Sequence, residues 1–145
     1  MKALVQRVKK ASVTIENKLY STIDKGLLIF LGVEKNDENY NAEKLAEKIL
    51  KLRIFEDDNG KMNYSVIDNC FEILVVSQFT LCGDCKKGTR PSFDNSASAD
   101  KANELYEYFV ACLKQSGLKI QTGKFQAHME VSLINDGPVT FMLEK

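Results

Sequence analysis

The sequence predicts an α/β protein, with β-sheet layers and two covering helices in a three-layer, sandwich-like arrangement that is not a Rossmann fold. Three observations carry this expectation. β-rich segments cluster at the start, middle and end of the chain instead of alternating strictly with helices. Only two stretches, 39–52 and 99–115, space their apolar residues as amphipathic helices do. No Gly-rich phosphate motif of the G-x-G-x-x-G or Walker type occurs. The 145 residues suit one domain, 1–145, and at 44% hydrophobic and 28% charged they hold enough apolar material for one core.

The elements follow in order. "ALVQRV" (3–8) and "ASVTI" (11–15) are β-rich, "ENK" (16–18) reads as a turn, and a strand follows at 19–23. "GLLIFLGV" (26–33) is a short continuous apolar run between glycines, the pattern of a strand buried on both faces. In 39–52, Ala42, Leu45, Ala46, Ile49 and Leu52 mark one helical face, with Asn36 or Asp37 opening the capping region. "RIF" suggests a short strand before the "DDNG" turn at 57–60. "EILVVSQFTL" (72–81) is the strongest strand, and 82–97 form a long loop of the kind that often carries function. The second helix, 99–115, carries Leu105, Phe109, Cys112 and Leu113 on its apolar stripe, with Gly117 suited to its C-terminal cap and Cys112 expected in the core. Strands at 118–122, 128–134 and 139–144 complete the chain. "NDGPVT" (135–140) between the last two contains Asp-Gly, a hairpin signal, and Pro138 suits the first position of a strand.

Charge and targeting narrow the function classes. The 20 basic and 20 acidic residues cancel, which argues against a protein held to nucleic acid by bulk charge. Two local basic clusters exist, Arg7/Lys9/Lys10 and Lys86/Lys87/Arg90, and solvated surface charge is the plainer account of both. No apolar run approaches the roughly 18 residues of a membrane span. "MKALVQRVKK" does not read as a signal peptide, so the cytoplasm is the expected compartment and the four cysteines are expected as thiols.

Few residues look chemical on local grounds. Cys82 and Cys85 form a C-x-x-C, but zinc needs about four ligands and no second pair is spaced to supply them. "KKGTRPSF" after the pair is no helix, which removes the thioredoxin-like setting and leaves incidental thiols as the better account. His128 stands without a visible nucleophile partner and reads as structural or surface. "SQFT", Ser77 to Thr80, ends the strongest strand, a common place for a site. A regular strand would point Ser77 and Phe79 to one face and Gln78 and Thr80 to the other, so all four side chains line one pocket only if the strand bulges or stops there.

Taken together, "VSQFTL" followed by "KKGTRPSF", and "NDGPVT" near the end, resemble the D-aminoacyl-tRNA deacylase family. "MKALVQRVKKASVTI", "GLLIFLGVEKND" and "AEKILKLRIFEDDNGKMNYSV" carry the resemblance over nearly the whole chain, in order. It implies a homodimeric cytoplasmic enzyme acting on tRNA at its 3′-terminal aminoacyl-adenosine, with no cofactor and no metal. It implies that Ser77, Gln78 and Met129 contact the substrate and that the backbone N–H groups of Phe79 and Thr80 serve as oxyanion donors. Thr80 as nucleophile is the less favoured route, because no base for it is visible. Gly137 and Pro138 would form the chirality filter, through a cis peptide bond and across the subunit boundary, supported by Arg7 and Asn135. The chain departs from the family's pattern at Thr89, where a basic residue is common, and at Gln126, where a small one is usual. The Cys82/Cys85 pair is not a family requirement. The alternatives are a tRNA- or RNA-binding module without catalysis and a metal- or thiol-based redox protein.

Overall fold

In the computed structural model, which describes residues 1–145, the elements in chain order are β1 (Lys2–Ile15), β2 (Lys18–Ile23), β3 (Gly26–Gly32), α1 (Asn39–Leu50), β4 (Phe55–Glu56), β5 (Met62–Tyr64), β6 (Glu72–Ser77), α2 (Ala99–Lys114), β7 (Ile120–Thr122) and β8 (Glu130–Glu144). β1 is the hub of a six-stranded sheet. Along one edge it pairs antiparallel with β3 (residues 2–8) and then with β2 (residues 11–15); along the other it pairs antiparallel with β8. β6 lies parallel to β3, and β7 parallel to β6. The Ser21 hydroxyl on β2 donates to the Thr122 carbonyl on β7 at 2.9 Å, so the sheet curls until its ends nearly meet. The layers expected from the sequence are therefore one nearly closed, barrel-like sheet with two helices packed against it.

Strand alternation divides the interior in two. Leu27, Ile29 and Leu31 of β3, with Ile73 and Val75 of β6, face the helices, where Leu45 and Ile49 of α1 meet Leu105, Phe109 and Leu113 of α2. Leu28, Leu74 and Val76 point the other way, joining Val8, Ala11, Val13 and Ile23 inside the curl. Each of the Val, Leu, Ile and Phe side chains among these contributes about 1.5–3 kcal/mol by leaving water. This double burial explains why β3 and the first part of β6 read as unbroken apolar runs.

Several boundaries differ from the sequence reading, each for a local reason. β1 is continuous because a bulge replaces the expected break. Between Val8 and Lys10 it advances two residues while β8 advances one, from Asn135 to Ile134. The extra residue exposes both Lys9 and Lys10 and flips the alternation, so Ala3 and Val5 face the helices whereas Ala11 and Val13 face the curl. Glu38, not Asn36 or Asp37, caps α1, its amide donating to Asn41 Oδ1 at 2.9 Å; Asp37 is buried and accepts from the Glu34 amide at 2.6 Å. "RIF" contributes only Phe55 to a strand, and β4 pairs with an unexpected β5 across the 57–60 turn, held by Asp57 Oδ1 accepting from the amides of Asn59 and Lys61. Cys112 is only half-buried, at the margin of the helix core.

The largest difference concerns "NDGPVT". It is not a hairpin turn, because its two flanks pair with the same strand, β1, and not with each other. β8 runs on from Glu130 to Glu144. Between partners Val8 and Gln6 of β1, β8 moves from Asn135 to Thr140, three residues more than a regular ladder needs. The surplus stands out as a Gly137–Pro138 protrusion, and that peptide bond is cis. Asp-Gly marks a local excursion correctly but says nothing about which way the chain leaves it. No helix is long and apolar enough to cross a membrane.

Candidate active site

The apolar strand β6 ends at Ser77, four residues earlier than its sequence suggests. The Gln78 amide makes a last bond to the Leu31 carbonyl at 2.7 Å, and its backbone then leaves the strand (φ −146°, ψ 83°). Residues Phe79–Cys82 form one 3₁₀ turn, closed by Leu81 N–H to Gln78 O (3.3 Å) and Gly83 N–H to Thr80 O (3.1 Å). This turn sits directly on β3. A Cβ on Gly32 would lie 3.0 Å from both Cys82 Sγ and Leu81 Cβ, so only glycine lets it pack there. Cys82 is an anchor: buried, its thiol directed at the Val33 carbonyl (3.4 Å) and pushed to a higher pKa by that burial, it is a poor nucleophile.

Because the strand stops, the alternation constraint on "SQFT" lapses. Ser77, Gln78 and Phe79 all border one cavity of about 750 Å³, within the range of ligand pockets. α2 supplies the far wall through Ala99, Ala102 and Tyr106, and the 125–129 segment with Val131 closes it. The Tyr106 hydroxyl donates to the Val75 carbonyl at 2.8 Å, tying α2 to β6; burial pushes its pKa above the ordinary tyrosine value, so it stays a neutral donor. Met129 lies on this wall; Thr80 does not. Thr80 is exposed beside the cavity, and its hydroxyl accepts from Gln78 Nε2. The amides of Phe79 and Thr80, opening the 3₁₀ turn, have no intrahelical acceptor.

The second constellation lies elsewhere on the chain. Arg7 is not part of a solvated basic cluster but a buried clamp. Its Nε donates to Asp136 O (2.7 Å), Nη1 to Ile54 O (2.7 Å) and Nη2 to Glu56 Oε1 (3.2 Å), with Asp136 Oδ2 3.6 Å from Nε. Asn135 fastens the other side. Its Nδ2 donates to the carbonyls of Arg7 and Val139, both at 3.0 Å, and its Oδ1 accepts from the Val139 amide at 3.2 Å. The protrusion is thus held at its base while Gly137 and Pro138 remain exposed. Gly137 tolerates no side chain: a Cβ would stand 1.9 Å from Val139 N.

Within one chain these two constellations do not meet. Val131 borders the cavity, and Gly137 lies six residues further along β8, about 20 Å at ~3.3 Å per residue. Ser77, Gln78, Phe79 and Met129 come together; Arg7, Asn135, Gly137 and Pro138 form a separate group. Sequence reasoning did not anticipate Tyr106, Phe125 and Ala127 as cavity walls. Tyr106 falls beside the apolar stripe of α2 and looks like core, and 125–129 carry no motif. Gln126 is in the left-handed region (φ 60°), a conformation that favours glycine.

Residues 4–144 match the family model described as D-Tyr-tRNA(Tyr) deacylase. The D-aminoacyl-tRNA deacylase of Geotalea daltonii is 58% identical over 144 residues, covering 99% of this chain and 96% of that protein. The protein of the same name from Thermotoga petrophila is 56% identical over 144 residues, covering 99% and 97%. Among solved structures, one described as c-Myc DNA Unwinding Element Binding Protein superposes with a TM-score of 0.94 at 43% identity, covering 100% of this chain and 99% of that one. A probable eukaryotic D-amino acid tRNA deacylase shares the fold (TM-score 0.87, 16% identity, 99% and 98% covered).

Proposed function

The chain belongs to the D-Tyr-tRNA(Tyr) deacylase family, and on that footing we propose that it hydrolyses the ester joining a D-amino acid to the 3′-terminal adenosine of tRNA, releasing tRNA and the free D-amino acid. The observation that carries this reading is the strand end opening into a cavity of nucleoside scale with two unengaged amides, those of Phe79 and Thr80, beside it. An aminoacyl ester is an activated acyl group, so positioning and an oxyanion site supply much of the required catalysis. Water attacks the carbonyl carbon, the amides hold the developing oxyanion, and the bond between the acyl carbon and the ribose 3′-oxygen breaks, the proton lost by the attacking water going to that oxygen. The neighbouring 2′-hydroxyl assists the water. The reaction calls for no cofactor, and the compartment that fits it is the cytoplasm.

Thr80 is a positioning residue in this scheme. Its hydroxyl accepts from Gln78 and has no imidazole, amine or carboxylate as a hydrogen-bond partner. Thr80→Ala is therefore expected to keep single-turnover deacylation within about tenfold of the wild type, a result that excludes Thr80 as nucleophile; a larger loss is shared by the nucleophile and positioning roles and contradicts only the modest effect expected here.

Gly137 and Pro138 are the chirality filter, acting from a second copy of the chain. The roughly 20 Å along β8 between cavity and protrusion supports this, because one chain cannot bring them together. The long edge of β8 that faces away from β1, with Ile134 and Met142 exposed, supports the homodimer. An L side chain collides with the protruding backbone while a D side chain points away, and glycine, having none, passes. D-tyrosyl-tRNA and glycyl-tRNA carried on tRNA-Ala are accordingly expected to be hydrolysed at least about 100-fold faster than L-tyrosyl-tRNA. If glycyl-tRNA survives while D-tyrosyl-tRNA is cleaved, the steric account fails. If tRNA binds and no ester is cleaved, the chain is an RNA-binding module without catalysis.

A further inference from the structure

Residues 84–92 form an arm at the cavity mouth. Asp84 and Ser92 pair antiparallel, with N–H···O bonds of 2.8 and 3.0 Å in both directions, and the chain between them turns back over Lys86, Lys87, Gly88 and Arg90. The base of the arm is fixed to the cavity. The Phe93 ring packs on Phe79 at a centroid distance of 5.0 Å, and Ser96 and Ala97 just beyond border the cavity itself. The arm, 84–92, carries Lys86, Lys87 and Arg90 against Asp84 alone, a net charge of +2, which leaves the rest of the chain at −2. Lys86, Lys87 and Arg90 are exposed, and none takes part in an ion pair. Lys124, next in sequence to the 125–129 wall, is likewise exposed and unpaired.

Long cationic side chains held together keep a standing repulsion within a Debye length of about 8 Å. Asp84, whose carboxylate accepts from the Lys86 amide at 2.8 Å, offsets one of the three charges but forms no ion pair with them, and a polyanion relieves the rest. The base of the arm adjoins the cavity through Phe93, which packs on the cavity-lining Phe79, so the exposed charges are placed to meet what continues outward from a ligand whose end is inside. Building on the proposed function, we infer that the 84–92 arm, together with Lys124 beside the 125–129 wall, is a phosphate clamp for the acceptor end of the tRNA. It grips the backbone outside the pocket and reads no base. Lysine suits this role as a point charge, and Arg90 adds a planar, bidentate donor for a phosphate. The neutral overall charge is then no obstacle, since the binding field is local.

The clamp makes the size of the substrate decisive. Lys86→Ala/Lys87→Ala/Arg90→Ala in one chain should lower kcat/KM for D-tyrosyl-tRNA about 10- to 100-fold near 0.15 M salt, and flatten the log–log salt slope by about 2–3. Hydrolysis of D-tyrosyl-adenosine, which has the ester but no acceptor stem, should stay within twofold. Removing two exposed lysines on the helices, Lys48 and Lys114, should change neither. Retention of wild-type tRNA kinetics and salt slope by the triple variant overturns the clamp, as does equal loss on both substrates, which would make the arm a structural part of the pocket. If the wild type cleaves neither substrate, the deacylase reading fails on its own; the clamp is then judged by binding of uncharged tRNA, where the same change in slope upholds it and an unchanged slope overturns it.

Discussion

Replacing Arg7 with Ala is expected to lower the unfolding free energy by about 3–5 kcal/mol. The size follows from what would be left behind. Two backbone carbonyls, those of Asp136 and Ile54, each accept a 2.7 Å bond from the guanidinium in a region where the side chain is only 8% exposed. Stranding each costs about 1–3 kcal/mol. The Glu56 contact adds little, since that carboxylate is half exposed and screened by water. Lost packing of the buried stem accounts for the remainder. Arg7→Lys should recover less than half, because one ammonium cannot face both carbonyls in the directions set by Nε and Nη1. Urea titration measures this directly. A shift below about 1 kcal/mol for Arg7→Ala at unchanged m-value would show that the clamp is dispensable to the fold. Arg7 hydrogen-bonds both the protrusion on β8 and the segment after α1, so D-tyrosyl-tRNA hydrolysis should fall with it.

That such a residue was assigned to surface charge on local grounds shows where the sequence stops being informative. Arg7, Lys9 and Lys10 look alike in one dimension. A bulge between Val8 and Lys10 sends the lysines to solvent, and a partner 129 residues away takes Arg7 inward. Hydrophobic periodicity revealed what depends on nearest neighbours: both helices, the doubly buried β3, and the apolar part of β6. It could not reveal the curl, which depends on β1 serving three partners, nor the stop at Ser77, which depends on Gly32 receiving the 3₁₀ turn. It also misjudged residues 135–140. Asp-Gly and proline specify a local departure from extended chain, whereas the difference between a hairpin and a protrusion lies in whether the flanks pair with each other or with a third strand. The "SQFT" segment shows the converse. Alternation requires the strand to end before neighbouring side chains can share a pocket; it ends at Ser77, and Ser77, Gln78 and Phe79 then border one cavity while Thr80 stays outside it.

Gly137→Ala is expected to reduce D-tyrosyl-tRNA hydrolysis by at least about 100-fold, equivalent to some 2.7 kcal/mol of transition-state stabilisation. A Cβ at this position would fall 1.9 Å from Val139 N and 3.0 Å from Asn135 Oδ1, so the protrusion must rebuild and the Asn135 bonds to Val139 must break. The cavity, some six residues away along β8, shares none of these contacts and should remain intact. This separation permits a sharper test. Ala102→Phe places a ring in the cavity from α2 and should be equally inactive while leaving the protrusion untouched. If protrusion and cavity cooperate across subunits, chains of the two variants, mixed and allowed to exchange, form heterodimers in which one composite site is wholly wild type. Random pairing then restores about a quarter of the wild-type activity. If they cooperate within one chain, every site carries a lesion and mixing restores nothing. Full activity of Gly137→Ala alone would remove the protrusion from the reaction altogether, whereas recovery on mixing two inactive proteins has no account in which a single chain completes the site.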